Sequence, residues 1–333
     1  MQLRETLNAA ISRLEAADVG SPRLNAEVLL MFVLGCNRAH LYGHPERELT
    51  ADELARYDEV LAERARGKPS QYITGHQEFW GLDFLVSPAV LIPRPETEHV
   101  IETVLELARE LDRPPRALER QPKIVDVGTG SGCIALALAK ELPGAEIVGV
   151  DISAAALEIA RANAARLQLD QRVTFIQNNL LTGLESNLLA GLPAVGAVVG
   201  TGDSPAQATV VGAGDSPAQE NNSSRLEGKT GNFDFVVSQP PYVGEAHPEK
   251  VQREVREFEP KVAVFAGESG MEVYRQLIPQ ARTALNPGGW LVVEIGPDPV
   301  GAAVRALLEG WQEVRVSHDL QGIPRVVAAR FSL

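Results

Sequence analysis

The stretch Lys123-Ile124-Val125-Asp126-Val127-Gly128-Thr129-Gly130-Ser131-Gly132 decides how this chain is read. It starts as an apolar strand, Lys123–Val127, and ends in alternate glycines that open a helix over Ile134–Glu141. Glycine lets a backbone turn sharply and approach a ligand without a Cβ in the way. The helix start then offers unpaired N–H groups to an anionic group such as a carboxylate. A glycine-rich loop does not by itself choose its ligand, and a dinucleotide enzyme is the obvious rival reading.

Outward from this loop the rhythm is strand–helix–strand. A strand at Glu146–Val150 ends on Asp151, a helix covers Ala154–Leu167, and a strand follows at Arg172–Ile176. The alternation resumes with a strand at Phe233–Ser238, a helix at Met271–Leu285 and a strand at Trp290–Ile295. A helix at Val300–Gly310 and strands at Glu313–Ser317 and Val326–Phe331 complete it. Parallel strands joined by helices predict an α/β, doubly wound sheet. A carboxylate at the end of the second strand can accept both hydroxyls of a ribose, which again fits more than one cofactor.

The fourth strand discriminates. Val236-Val237-Ser238-Gln239-Pro240-Pro241-Tyr242 puts an amide, two prolines and a phenol at a strand's C-terminal end, where ligands bind in such sheets. The prolines fix φ and remove N–H donors, so the turn is rigid and presents carbonyl acceptors. An amide oxygen and a backbone carbonyl together can grip both N–H bonds of a planar –NH2 group. That grip aims the nitrogen's lone pair toward a methyl sulfonium while the aromatic ring packs on the acceptor.

The first ~70 residues read as helical. Leu3, Leu7, Ile11 and Leu14 recur at helical spacing, Ser21-Pro22 opens a second helix that Gly35 can end, and Thr50 with Glu53 forms a capping box. This predicts a helical bundle over 1–75, with a structural or a substrate-recognition role. Leu82, Phe84 and Val86 alternate with Asp83 and Leu85 after Gly81, which predicts a hairpin linker over 76–92. The catalytic domain then runs over 93–333, with a helix around Val100–Ala108 and a loop at Arg113-Pro114-Pro115.

One segment departs from this pattern. Residues 198–207 recur at 210–219 with one change, Thr201 to Ala213. The Gly/Ala/Ser/Pro composition cannot bury enough apolar surface to offset its ordering entropy, so about 190–231 reads as a flexible, duplicated insertion.

At 333 residues the chain exceeds what one core usually fills, which suits a large domain with a smaller one. A net charge of −13, without a Lys/Arg cluster, argues against a nucleic-acid substrate. No apolar run of ~18 residues suggests a membrane span. Met1-Gln2-Leu3-Arg4-Glu5 leads into a stretch that reads as amphipathic helix rather than a signal-peptide core, and Cys36 and Cys133, set among apolar neighbours, read as buried bystander thiols in a cytoplasmic protein. The six histidines show no metal spacing, so no metal is expected. Glu294, closing a strand at the sheet's active edge, is a candidate to support the site.

With these motifs in hand, the chain resembles the class I methyltransferases that carry Asn-Pro-Pro-Tyr. Within them it resembles the PrmC/HemK family, which methylates a glutamine of peptide-chain release factors. Gln71-Tyr72-Ile73-Thr74-Gly75, Glu78-Phe79-Trp80-Gly81 and Ile92-Pro93-Arg94-Pro95-Glu96-Thr97-Glu98 match its linker. Phe258-Glu259-Pro260, Gly270-Met271 and Gly322-Ile323-Pro324-Arg325-Val326 match its C-terminal half. The resemblance implies a Rossmann-like domain with a seven-stranded mixed sheet of order 3-2-1-4-5-7-6. It implies S-adenosylmethionine as cofactor, with Gly128, Thr129, Gly130, Ser131 and Gly132 at its methionine part. Asp151 would then sit at its ribose, Asn179 and Leu180 would border its adenine, and Ile152 would also belong to the cofactor site. Gln239, Pro240, Pro241 and Tyr242 would orient the acceptor. The partner implied is a class I release factor, in translation termination, for a monomeric enzyme that contacts neither nucleic acid nor membrane. Two positions depart from the family pattern: Gln239 stands for the signature asparagine and Asn179 for an acidic residue. They motivate one rival reading, a catalytically weak paralogue that only binds release factor or cofactor; the other rival is the same chemistry on a ribosomal protein.

Overall fold

The structure is a computed structural model that describes residues 1–111, 121–184, 233–246, 248 and 251–332. The sequence-predicted insertion at 190–231 and the Arg113-Pro114-Pro115 loop lie outside the described residues. Five helices come first: α1 (Leu3–Ala16), α2 (Pro22–Leu34), α3 (Arg38–Gly43), α4 (Ala51–Ala65) and α5 (Ser70–Thr74). Leu3, Leu7, Ala10, Ile11 and Leu14 form the buried stripe of α1 and pack with Leu29, Leu30 and Tyr57. Thr50 and Glu53 cap α4 reciprocally: the Glu53 N–H donates to Thr50 Oγ1 at 3.2 Å, and the Thr50 N–H donates to Glu53 Oε2 at 2.9 Å.

The hairpin follows as β1 (His76–Phe79) and β2 (Leu82–Leu85), antiparallel, with Trp80 and Gly81 at positive φ in the two-residue turn. Phe79 and Phe84 are buried from it. A 3₁₀ turn at Pro95–Thr97 leads into α6 (Glu98–Leu111). Then come β3 (Lys123–Val127), α7 (Cys133–Glu141), β4 (Glu146–Asp151), α8 (Ala154–Arg166), β5 (Val173–Gln177) and β6 (Phe233–Ser238). After β6 lie two short helices that the sequence pattern does not announce, α9 (Arg253–Phe258) and α10 (Lys261–Val264). The chain continues through α11 (Glu272–Ala284), β7 (Leu285–Glu294), α12 (Val300–Ala306), β8 (Gln312–His318) and β9 (Pro324–Arg330).

Seven strands form one sheet in the order β5-β4-β3-β6-β7-β9-β8. Counted without the hairpin this is the 3-2-1-4-5-7-6 order expected. Strands β3 to β7 run parallel, and β9 pairs antiparallel with both β7 and β8. Alternate residues explain why both faces are covered. Ile124, Phe235, Val237 and Val292 face the side packed by α6, α7 and the hairpin. Val125, Val236, Leu291 and Val293 face α11 and α12.

The bundle is tied to the catalytic domain by Arg64, which is buried on α4. Its guanidinium reaches Glu254 on α9 at 2.7 Å and donates to Asn25 Oδ1 at 2.8 Å. Tyr72 on α5 donates its hydroxyl to the Val90 carbonyl at 2.6 Å. Of the two cysteines, Cys133 is buried but Cys36 is only half-buried, because it follows the helix-ending Gly35 at the bundle's rim. Among the described residues, no helix is long and apolar enough to cross a membrane.

Candidate active site

The glycine loop is held tight from below. Gly128, Gly130 and Gly132 all take positive φ, at 74°, 55° and 81°. The N–H groups of Gly128 and Thr129 both donate to the Val150 carbonyl, at 2.8 and 2.9 Å. Beneath the loop, Asp126 is buried; its Oδ2 accepts from Thr129 Oγ1 at 2.6 Å and from the Ala135 N–H at 3.2 Å. Burial pushes the Asp126 carboxyl up to about 7, while those hydrogen bonds pull it down. Asp151 closes the far side: its Oδ2 accepts the Gly130 N–H and its Oδ1 the Ser153 N–H, each at 2.9 Å. The Asn178 N–H donates to the Asp151 carbonyl at 2.9 Å, and the Asn178 side chain donates to the Leu180 carbonyl at 2.8 Å, where Leu180 has φ 50°.

These elements surround a cavity of about 200 Å³. Gly128, Thr129, Gly130, Ser131, Asp151, Ile152, Asn179 and Leu180 all line it. Gly132 does not; it caps α7, where a Cβ would sit 3.1 Å from Leu136. The opposite wall was not read from the sequence: Leu91, Pro260, Val262, Val273 and Gln276. They come from loops and helices far apart in the chain, and only the sheet order brings them together.

A second cavity, of about 480 Å³, opens beside the first, and Leu91, Gln239, Pro241 and Ala263 line both. Pro240 and Tyr242 line the second. The Tyr242 ring wedges against Gly296, where a Cβ would stand 2.8 Å from it, and the Tyr242 carbonyl lies where a Gly270 Cβ would come within 2.4 Å. Gly270 also holds φ 79°, so both demands select glycine there. Burial pushes the Tyr242 phenol up to about 12, with the nearby Glu294 adding to the effect, so the ring stays neutral.

Apart from Glu294, the charges among the described residues of the second cavity are paired. Glu259, buried, accepts from the Ile92 N–H at 3.1 Å and from the Arg94 guanidinium. Arg325 holds Asp319 at 2.8 Å and Glu96 at 3.7 Å. Glu254 is taken by Arg64. Such a pocket suits an uncharged acceptor. Glu294 lines it too, receiving Thr97 Oγ1 at 2.7 Å.

Comparison with known proteins agrees with this layout. Residues 5–75 match the PrmC N-terminal domain, and residues 118–191 match a methyltransferase domain. The catalytic domain of hMettl16, solved in complex with a MAT2A 3′UTR hairpin, shares the fold at TM-score 0.50 and 14% identity, over 83% of each chain. Among curated relatives, the release factor glutamine methyltransferase of Koribacter versatilis is 49% identical over 99% of both chains. Those of Moorella thermoacetica and Geobacter sulfurreducens are 39% and 37% identical, over 99% and 98% of this chain and 98% and 96% of theirs. At these identities over nearly the whole of each chain, the chain belongs to the family of release factor glutamine methyltransferases.

Proposed function

We propose that this protein transfers a methyl group from S-adenosylmethionine to the side-chain amide nitrogen of the glutamine in the Gly-Gly-Gln segment of class I peptide-chain release factors. The observation that carries this reading is the meeting of the two cavities at Gln239 and Pro241. One side suits a cofactor and the other an uncharged amide.

The first cavity fits S-adenosylmethionine on its own chemistry. A Cβ at Gly128 or Gly130 would meet nothing within 4 Å, so the loop backbone faces open space at the start of α7, where a carboxylate is favoured. Ser131 Oγ, in the cavity lining, is buried without a partner and leaves hydrogen-bonding capacity for an amino acid moiety. Each Asp151 oxygen has accepted one backbone N–H and retains a lone pair for a ribose hydroxyl. Ile152 and Val262, both exposed large apolar side chains, suit a planar ring. The bound cofactor supplies an electrophilic methyl group on a sulfonium.

The chain's part is orientation. Gln239 accepts one N–H of the acceptor amide and the Pro240 carbonyl the other, so the nitrogen faces the first cavity. The two prolines keep that turn from relaxing. Tyr242 packs beside the acceptor and excludes water. Catalysis by positioning and desolvation of this kind needs no protein base if the proton leaves after transfer. The helical bundle, fixed at Arg64, supplies a recognition surface for the body of the release factor.

Mass spectrometry of a class I release factor incubated with the enzyme and labelled cofactor tests the reading. One added methyl on the Gly-Gly-Gln glutamine is expected. Label on a ribosomal protein instead, or on neither, overturns it.

A further inference from the structure

Glu294 is a buried carboxylate that the transfer step above does not use. The β6–β7 register ends at Ser238 beside Val293, so the next residues on the two parallel strands are Gln239 and Glu294. Residues in register on neighbouring strands point to the same face about 5 Å apart; Gln239 stands one position beyond the last such pair, and its side chain hydrogen-bonds the Glu294 carboxylate. Both line the second cavity, and Glu294 is only 3% exposed. Its backbone is pinned, since Tyr274 donates its hydroxyl to the Glu294 carbonyl at 2.8 Å. One carboxylate oxygen is taken by Thr97 at 2.7 Å.

We propose that Glu294 is a positioning residue, which sets the end of the Gln239 amide that faces the acceptor. The proposal rests on the methyl-transfer reading above. An amide has a donor end and an acceptor end, and an ionised carboxylate only accepts. Ionised Glu294 therefore takes the Gln239 NH2 group and turns the Gln239 oxygen toward the acceptor amide, as the reaction requires. Protonated Glu294 donates instead, takes the Gln239 oxygen, and sets the Gln239 NH2 against the acceptor NH2. Two donors then face each other and the acceptor is misplaced.

The surroundings keep both forms within reach of neutral pH. Burial is the largest influence and, with Glu96 on the 3₁₀ turn, pushes the Glu294 carboxyl up to about 7. Thr97, Gln239 and Arg325 on β9 oppose them. Tyr242 after β6, Tyr274 on α11 and Cys133 at the start of α7 also face it, and burial keeps all three protonated.

Two measurements test this. The first is single-turnover transfer to a Gly-Gly-Gln peptide at saturating cofactor, across pH about 5.5 to 8.5, where a carboxyl with this midpoint titrates. The wild-type rate should fall on the acid side of a midpoint near 7. Glu294→Gln should lose that acid limb and run about 10-fold slower at pH 8, since the Gln239 amide is then free to face either way. The second is a titration of the Glu294 carboxyl by carbon-13 NMR, which needs no turnover. Gln239→Leu removes a donor to the carboxylate and should raise the Glu294 midpoint. A midpoint unmoved by Gln239→Leu, or a Glu294→Gln enzyme that keeps the wild-type rate and acid limb, overturns the proposal. If wild-type enzyme methylates no Gly-Gly-Gln peptide at any pH, the functional reading fails, while the carboxyl titration still decides whether Glu294 and Gln239 are coupled.

Discussion

Asn163 on α8 pairs with the backbone of Leu85 as a strand would: its Oδ1 accepts the Leu85 N–H at 2.7 Å and its Nδ2 donates to the Leu85 carbonyl at 3.0 Å. The same Nδ2 donates to the Ser131 carbonyl at 2.9 Å. One fully buried amide therefore fastens the hairpin to the glycine loop.

Asn163→Ala should remove both fastenings at once. Three backbone groups lose their partner, and buried unpaired groups cost about 1–3 kcal/mol each, so a loss of about 3 kcal/mol is expected after relaxation. Denaturant unfolding measures it. A change under about 0.5 kcal/mol would mean that water replaces the amide without penalty.

Asp151→Ala should weaken S-adenosylmethionine binding by roughly 10- to 100-fold. That is the worth of one of the two ribose hydrogen bonds to the charged acceptor, with water taking the place of the other, and the Gly130 N–H also loses its anchor. Calorimetry on the folded variant is the check, and unchanged affinity would take Asp151 out of the site.

Gln239→Asn should raise methyl transfer to a release factor by about 10-fold, because the extra methylene displaces the acceptor and rate depends steeply on position. Single-turnover rates at saturating cofactor give the answer. Equal or slower transfer by the asparagine variant would show a site built around glutamine, in which Glu294 and the longer side chain fit each other.

Asp126 makes stability depend on pH. Its carboxyl is raised from 3.8 to about 7 by burial. Below its ordinary value both folded and unfolded chains hold the proton, and its contribution is complete. As pH rises toward 7 the unfolded chain ionises freely while the folded one resists, so stability falls and then levels off. Between pH 5 and 8 the wild-type melting temperature should drop a few degrees more than that of Asp126→Asn. Parallel slopes would show that Asp126 is ionised in the fold throughout.

Much of this was legible in the sequence because the sheet is buried on both faces. Lys123–Val127, Glu146–Asp151 and Phe233–Ser238 are short apolar runs between helical stretches, and their glycine, aspartate and proline endings mark one edge. The short helices α9 and α10 were not legible, since six and four residues are too few for a helical period to show. The cavity wall at Leu91, Val262, Val273 and Gln276 was hidden for another reason. Nothing local distinguishes such residues from loop or helix surface until the strand order places them opposite the glycines. Glu259 is marked in the sequence only as part of Phe258-Glu259-Pro260, with no sign of its burial. It is buried because a linker arginine and a backbone N–H, more than 150 positions away, both reach it.

The position of β9 has a consequence for how the protein is made. This strand lies late in the chain yet sits inside the sheet, between β7 and β8, with Val326–Ala329 buried. Synthesis delivers β7 first, and its outer edge must wait without a partner until residues 324–330 leave the ribosome. An unpaired apolar edge is a template for association with other chains. A message cut short before residue 324 thus yields a nearly complete catalytic domain that still carries an open edge, and such fragments should aggregate or be degraded rather than persist as partial enzymes.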